Sequence, residues 1–463
     1  MPEETKAIFA RVLKRIKPTK HEVAEERALA RRIIGRLHQV LPHEIGVEVV
    51  GSIAKDTHLR GDRDIDIFLL FPKASTREEL VKKGLEYAKK AVKPGEKWRI
   101  GYAEHPYLKA EIEGSEVELV PCYKISDITE RASSADRSPL HSRYVLEFLS
   151  EEGCDEVRLL KAFLKRLGVY GAEVKVEGFS GYMCELLIIE FGSFEKLLRA
   201  ASSWHGVPVL DPENHHPDAG KLHEKFPQAA LIMIDPVDPG RNVAASVSHT
   251  SLAKFMLAAR AFLKNPREEC FTMSAKPPSA AELAKLKKRL DARGTAIIAM
   301  RLKAPDVVED ILWPQLKKAA KGMAARLEEA GFRLFDSAYW TDGKSACLLL
   351  FEFECPEQPA IQKVIGPEVR HEKACEDFAR AHKNALAGPW VEGNRIVAAE
   401  PRRWRRASDL IAEIAKHPAK YGIPSHIAKV IPKWSRVEAS SLFCEKYASF
   451  IRDYVEKREL SLS

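Results

Sequence analysis

Gly51-Ser52, then eleven residues, then the run Asp64-Ile65-Asp66-Ile67-Phe68-Leu69-Leu70-Phe71 constrain this chain more than any other stretch. The run reads as a strand stopped by Pro72, and a short β-branched run, Val47-Glu48-Val49-Val50, precedes the Gly-Ser pair. Side chains alternate along a strand, so Asp64 and Asp66 share one face while Ile65, Ile67 and Leu69 point into a core. A Gly-Ser at a strand-to-helix turn offers backbone N–H groups and a hydroxyl to phosphate oxygens. Two neighbouring carboxylates repel each other unless a cation sits between them. Mg²⁺ is the hard, oxygen-seeking candidate, with substrate phosphates completing its octahedron. Glu118, in Val117-Glu118-Leu119-Val120-Pro121, is placed to supply a third carboxylate from a neighbouring strand. Parity leaves two competitors: Asp62 shares it with the aspartate pair and Glu116 with Glu118. Asp62 follows Gly61 at a turn and is the weaker candidate.

The surrounding pattern mixes strands and helices. Residues 20–42 predict an amphipathic helix ended by Pro42, residues 76–92 a second helix, and residues 107–122 a hairpin turning at Gly114-Ser115. From 150 the pattern turns helical: Val157, Leu159, Leu160, Phe163, Leu164 and Leu167 form one stripe, and a further helix is expected from Gly181 to about Leu198. His205–Phe226 lacks a period and reads as a loop, with a short strand at 230–234. Residues 294–354 read strand, helix, strand, strand. The remainder is mixed and is expected to end in a helix from about Val437 to Leu460.

With 463 residues the chain has room for two to four domains. Its 45% hydrophobic and 30% charged content fits a soluble globular protein. No apolar run is long enough to span a bilayer, and the opening Met1-Pro2-Glu3-Glu4-Thr5 has no secretory pattern. No membrane partner is therefore expected. Eight cysteines are scattered singly, never as Cys-x-x-Cys, which suits free thiols in a reducing cytoplasm. Net charge is +8, and residues 401–463 alone carry 13 Lys/Arg against 7 Asp/Glu. Such a basic end is either a phosphate-backbone footprint or a solubilising surface. Within it, Arg402-Arg403-Trp404-Arg405-Arg406 suits RNA backbone contact with stacking, or equally a solvated face around one buried Trp. His215, His216 and His223 lack regular ligand spacing and argue little for zinc.

The Gly-Ser turn and the carboxylates together resemble the signature of the DNA polymerase β nucleotidyltransferase superfamily. Longer strings narrow the resemblance. They include Tyr102-Ala103-Glu104-His105-Pro106-Tyr107, Val120-Pro121-Cys122-Tyr123, Val157-Arg158-Leu159-Leu160-Lys161 and Gly168-Val169-Tyr170-Gly171. Others are Gly178-Phe179-Ser180-Gly181-Tyr182, Asp235-Pro236-Val237-Asp238, Arg241-Asn242-Val243-Ala244-Ala245, Arg293-Gly294-Thr295-Ala296 and Trp313-Pro314-Gln315-Leu316. They run collinearly over about two-thirds of the chain and resemble the archaeal-type (class I) tRNA CCA-adding enzymes.

The resemblance implies a multidomain α+β architecture: a nucleotidyltransferase head over 1–145, a helical neck over 146–260, an RRM-like body over 261–360 and a basic, tRNA-binding tail over 361–463. It implies stepwise addition of C, C and A to tRNA from CTP and ATP, with Mg²⁺, no nucleic-acid template and a homodimeric enzyme. By motif match, Asp64, Asp66 and Glu118 would be the catalytic metal ligands. Gly51, Ser52 and Lys55 would meet the triphosphate, and His141, Lys161 and Tyr170 would complete the nucleotide pocket. Arg241 would help to read the base together with tRNA phosphates. Either Asp66 or Glu118 could take the hydroxyl proton. Two positions depart from the family's habit: Glu118 stands where Asp is more usual, and Lys55 where Arg is.

Residue chemistry alone leaves blander readings. Lys161 reads first as a solvent-facing lysine, although Leu159-Leu160-Lys161-Ala162-Phe163 places it near a buried seam. His141 could cap a turn, Tyr170 could pack, and Arg241 could be an exposed loop residue. Two rival functions remain: another superfamily enzyme such as a poly(A) polymerase, and a catalytically silent RNA-binding protein.

Overall fold

In the computed structural model, which describes residues 3–102, 104–272 and 277–457, the chain divides into two compact units on either side of residue 274. The first unit opens with α1 (Glu3–Ile16) and α2 (Lys20–His38). Thr19 starts α2 with a reciprocal capping box to Glu22. β1 (Gly46–Val50), α3 (Gly51–Ala54), β2 (Asp64–Phe71) and α4 (Arg77–Ala91) follow, then β3 (Lys97–Tyr102), β4 (Pro106–Ile112) and β5 (Ser115–Tyr123). The sheet order is β1-β2-β5-β4-β3, with β2 and β5 parallel and the other pairs antiparallel. β2 starts and stops where the alternation and Pro72 place it. Ile65, Ile67 and Leu69 are fully buried and pack with residues of α2 and α4 behind the sheet. At roughly 1.5–3 kcal/mol per buried aliphatic side chain, this layer fixes which face the aspartates occupy.

Helices build the rest of the unit: α5 (Arg137–Phe148), α6 (Glu151–Arg166), α7 (Gly181–Phe191), α8 (Phe194–Ser202), α9 (Ala219–Lys225) and α10 (His249–Lys264), with a two-stranded pair β6 (Val209–Leu210) and β7 (Ile232–Met233). The stripe read on α6 is buried against α1, α7, α8 and α10. The single helix expected over 181–198 is two. Gly192 adopts φ +75°, closing α7, and the Ser193 hydroxyl accepts from the Lys196 N–H to start α8. The segment expected as loop, 205–226, contains β6 and α9.

The second unit carries α11 (Ala280–Asp291), β8 (Ala296–Lys303), α12 (Glu309–Glu329), β9 (Leu334–Thr341) and β10 (Ala346–Phe353), the expected strand-helix-strand-strand. A four-stranded sheet, β14-β8-β10-β9, is completed by β14 (Ser435–Val437) from much later in the chain. Every residue of β10 is buried, Glu352 included, which explains its apolar run from Ala346 to Phe351 at the sheet's centre. α12 covers one face together with α14 (Ala407–Lys416) and α15 (Ser425–Val430), and α11 with α16 (Ala448–Glu456) covers the other. A separate three-stranded sheet joins β11 (Ile361–Glu368), β13 (Arg395–Pro401) and β12 (Ala387–Glu392), with α13 (Glu372–Ala381) beside β11. The helix expected from Val437 to Leu460 is shorter. Val437 ends a strand, short 3-10 turns follow, α16 covers Ala448–Glu456, and residues 458–460 lie outside the described residues. Among the described residues no helix is long and apolar enough to cross a membrane.

Candidate active site

The parallel pairing of β2 with β5 sets Asp64 beside Glu116 and Asp66 beside Glu118, so all four carboxylates share the face opposite the buried isoleucines. Asp62 lies before the strand, where its carboxylate accepts from Lys165 at 2.6 Å. Burial, then the charges of Glu118 and Asp64, push the Asp66 carboxyl up to about 7. Asp64 is raised too, by burial and then by Asp62 and Glu116. Lys109, opposite Glu118 on β4, is ion-paired with it. No group of three His, Cys, Asp or Glu among the described residues is drawn together as a finished metal cage. The donor set nevertheless fits a hard divalent ion. Asp64, Asp66 and Glu118 supply oxygens only, on adjacent strands, and their mutual repulsion is what such a cation relieves.

Gly51 opens α3 directly above this face with φ +76°, and a Cβ there would lie 2.0 Å from Asp66 Oδ2. Only glycine permits both the backbone and the close approach. Gly51→Ala is therefore expected to cost about 1–3 kcal/mol of stability through strain. It should also cut nucleotide transfer by at least about 100-fold by moving Asp66 or the turn. Thermal melting and single-turnover transfer would measure the two effects; near-normal transfer would mean that the turn relaxes without disturbing Asp66. Ser52 is half-buried, and its carbonyl accepts from the Thr57 N–H.

The turn is held from beneath by the helices. Glu185 of α7, 1% exposed, is ion-paired with Lys55 and accepts from Thr57 Oγ1 at 2.5 Å. Lys161 of α6 is equally buried, against the reading of a solvent-facing lysine. Its Nζ donates to the Thr57 carbonyl at 2.9 Å and to Thr57 Oγ1 at 3.2 Å, with Glu185 at 3.9 Å. Burial depresses the Lys161 ammonium. Burial also works to raise Glu185, but Lys55 and Lys161 hold it low. Arg158, one turn earlier on α6, is 1% exposed; it donates to the His58 and Asp56 carbonyls and to the Asp56 and Asp155 carboxylates. Tyr170 lies under the Lys165 ammonium, 5.4 Å from its ring centre, and its hydroxyl comes within 3.3 Å of where a Cβ of Gly181 would stand.

A second carboxylate organises the other side. Asp235 is fully buried and accepts from Arg241 Nη1 at 2.7 Å, Tyr182 Oη at 3.1 Å and the Val237 N–H at 3.0 Å; His141 Nε2 lies 2.9 Å from it. The His141 ring stacks on Tyr182 with centroids 4.0 Å apart. Despite burial, His141 and Arg241 hold Asp235 well below the ordinary carboxylate range, while burial lowers His141. His215 and His216 place their ring nitrogens on the Pro236 and Pro239 carbonyls, pinning the turn after Asp235, and His223 is exposed. In the second unit Arg403 and Arg405 are exposed, while Trp404 packs partly into the core with the Arg403 guanidinium 5.2 Å from its ring.

Thus Gly51, Ser52, Asp64, Asp66 and Glu118 gather at one face. Lys55, Lys161 and Tyr170 meet around the start of α7, and His141 and Arg241 meet at Asp235. Glu185, Thr57, Arg158, Tyr182, Asp235 and Lys109 are organising residues that no local sequence pattern marks as such. Several stand inside the strings quoted for the resemblance, but their partners lie far off in sequence.

This sheet, turn and carboxylate face define the chain as a nucleotidyltransferase, and a nucleotidyltransferase domain model matches residues 30–145. A model of the second domain of tRNA nucleotidyltransferase matches 155–272, and one of the C-terminal domain of CCA-adding enzyme matches 293–439. The CCA-adding enzyme of Haloarcula marismortui is 38% identical over 91% of this chain and 92% of its own length. That of Methanothermobacter thermautotrophicus is 36% identical over 93% of each chain. The chain belongs to the archaeal CCA-adding enzyme family. Enzymes of the nucleotidyltransferase superfamily use divalent metal ions. The solved Cid1 poly(U) polymerase shares 16% identity at a TM-score of 0.47, over 58% of this chain and 98% of that one.

Proposed function

We propose that this chain completes the 3′ end of tRNA, adding C, C and A in turn from CTP and ATP without a nucleic-acid template and releasing pyrophosphate. The observation that carries the reading is the carboxylate face of β2 and β5 under the Gly51 turn, in a chain that aligns over 91% of its length with a CCA-adding enzyme. Asp64, Asp66 and Glu118 would hold divalent ions, with Mg²⁺ the best match to an all-oxygen set. When bound, such ions lower the charge barrier between the 3′-hydroxyl and the triphosphate and stabilise departing pyrophosphate. The protein's own groups do the rest. The turn at Gly51-Ser52 and Lys55 orient the triphosphate, with Lys161 and Tyr170 behind them and His141 beside the nucleoside. The tRNA 3′-oxygen attacks the α-phosphorus as the bond to the β-phosphate's bridging oxygen breaks, and Asp66 or Glu118 accepts the hydroxyl proton. Arg241, fixed at one end by Asp235, keeps its remaining N–H donors for the base or an RNA phosphate.

Arg403 and Arg405 suit tRNA phosphates. The eight unpaired cysteines suit a reducing cytoplasm. The resemblance carries over the expectation of a homodimer, which light scattering would measure.

The test is incorporation of labelled CTP and ATP, with Mg²⁺, into tRNA lacking its 3′ CCA. Two C and one A followed by arrest is the expected result. Incorporation of A alone would favour a poly(A) enzyme, and no transfer by folded, tRNA-binding protein would favour a silent binder.

A further inference from the structure

The carboxylate face holds a cation of its own. Lys109 stands on β4 directly opposite Glu118, is ion-paired with it, and has its Nζ 3.3 Å from Glu116 Oε1. Its side chain and that of Glu118 are each 22% exposed, so the pair is partly shielded from solvent. The Tyr107 ring lies 5.5 Å from the same ammonium. Arg99 reaches only the outer acid, Glu116, at 3.2 Å. Lys109 is thus the cation set between the inner acid of this face and the outer one. Lysine suits movement between two acceptors a few ångströms apart, because it is a compact point charge on a flexible stem.

We propose that Lys109 is a tethered counter-cation: it neutralises Glu118 while no divalent ion is bound and passes to Glu116 when one is. The inference rests on the reading of Asp64, Asp66 and Glu118 as the metal-holding set. Its physical content is competition. A divalent ion must displace the ammonium from Glu118 to use that carboxylate, and the displaced charge comes to rest on Glu116, already within reach. Lys109 is then a positioning residue that sets metal affinity through Glu118. A merely structural lysine would, on removal, leave metal binding unchanged or loosen it. A competing one would, on removal, tighten it.

The probe is Mn²⁺, titrated into the full chain without nucleotide, with free Mn²⁺ read by electron paramagnetic resonance. Lys109→Met is expected to bind Mn²⁺ about tenfold more tightly than wild type, since one nearby positive charge and one competitor for Glu118 are gone. Lys109→Arg keeps the charge and stays close to wild type. The metal-free melting temperature of Lys109→Met should fall, because Glu118 loses its partner, and saturating Mn²⁺ should restore it. If Lys109→Met does not fold, Lys109→Gln takes its place in the same titration. Unchanged or weaker Mn²⁺ binding by a folded Lys109→Met or Lys109→Gln chain overturns the inference. Asp66→Asn separates the two levels of the argument. If it abolishes Mn²⁺ binding while the Lys109 variants match wild type, only the counter-cation role fails. If it leaves Mn²⁺ binding intact, the metal-holding reading fails with it.

Discussion

A chain carrying Asp66→Ala is expected to bind tRNA as wild type does and to lose at least about 1,000-fold in nucleotide transfer, the scale of several kcal/mol of lost charge stabilisation in the transition state. Asp66 is the sharpest choice among the three acids. It stands next to Glu118 across the parallel pair, beneath Gly51, and its carboxyl is raised to about 7 by burial and by Glu118 and Asp64. A group this crowded is held ionised only at a cost in the metal-free protein. Because its folded value lies above the ordinary aspartate range, its contribution to stability is favourable at low pH and is lost as pH rises through about 7. The isosteric Asp66→Asn should therefore melt no lower than wild type at pH 8 in the presence of a chelator, while losing transfer like the alanine variant. Single-turnover incorporation and filter binding at one fixed salt concentration separate chemistry from RNA affinity. Lost binding with retained chemistry would remove Asp66 from the metal set.

The features of this site that are legible in the sequence are the local ones. The aspartate pair, its strand and the Gly-Ser turn lie within about two dozen residues, and alternation with a proline stop fixes which way each side chain points. The strand-helix-strand-strand of the second unit is legible for the same reason, since each element carries its own period. What escapes is whatever depends on distant partners. Lys161 looks like a surface lysine because the group that buries it, Thr57, is 104 residues away, and Asp235 gains its meaning from His141, 94 residues before it. Edge elements escape too. β3 is largely exposed, and β14 contributes only three residues to its sheet, so neither has an apolar period to read. The overlong C-terminal helix is the opposite error. Leu442, Tyr447 and Ile451 mimic a helical stripe, yet they enter the same core from a 3-10 turn, a second turn and α16 in succession.

Glu185→Ala is expected to destabilise the first unit by about 3–5 kcal/mol, because it strands two buried ammonium groups rather than one. Lys55, just after α3, and Lys161 of α6 approach the nucleotide turn, and Glu185 is the carboxylate that both of them face. Deleting it leaves Lys161 with only the Thr57 oxygens in a fully buried position. Glu185→Gln should cost less, since the amide oxygen still accepts from Thr57 or Lys55, and the difference between the two variants isolates the charge from the hydrogen bonds. Hydrogen exchange of the α6 and α7 amides through a urea series would measure both in the first unit. A cost below about 1 kcal/mol for the alanine variant would mean that the lysines are solvated or partnered elsewhere, since that is the range of an exposed pair. The same variants bear on the triphosphate. If Lys55 and Lys161 are to hold phosphate oxygens, the nucleotide must share them with Glu185, so Glu185→Gln should lower the KM for CTP and ATP while leaving kcat little changed. A fall in kcat with KM unchanged would instead make Glu185 a lock on the turn's geometry, acting on Gly51-Ser52 and not on the nucleotide's charge.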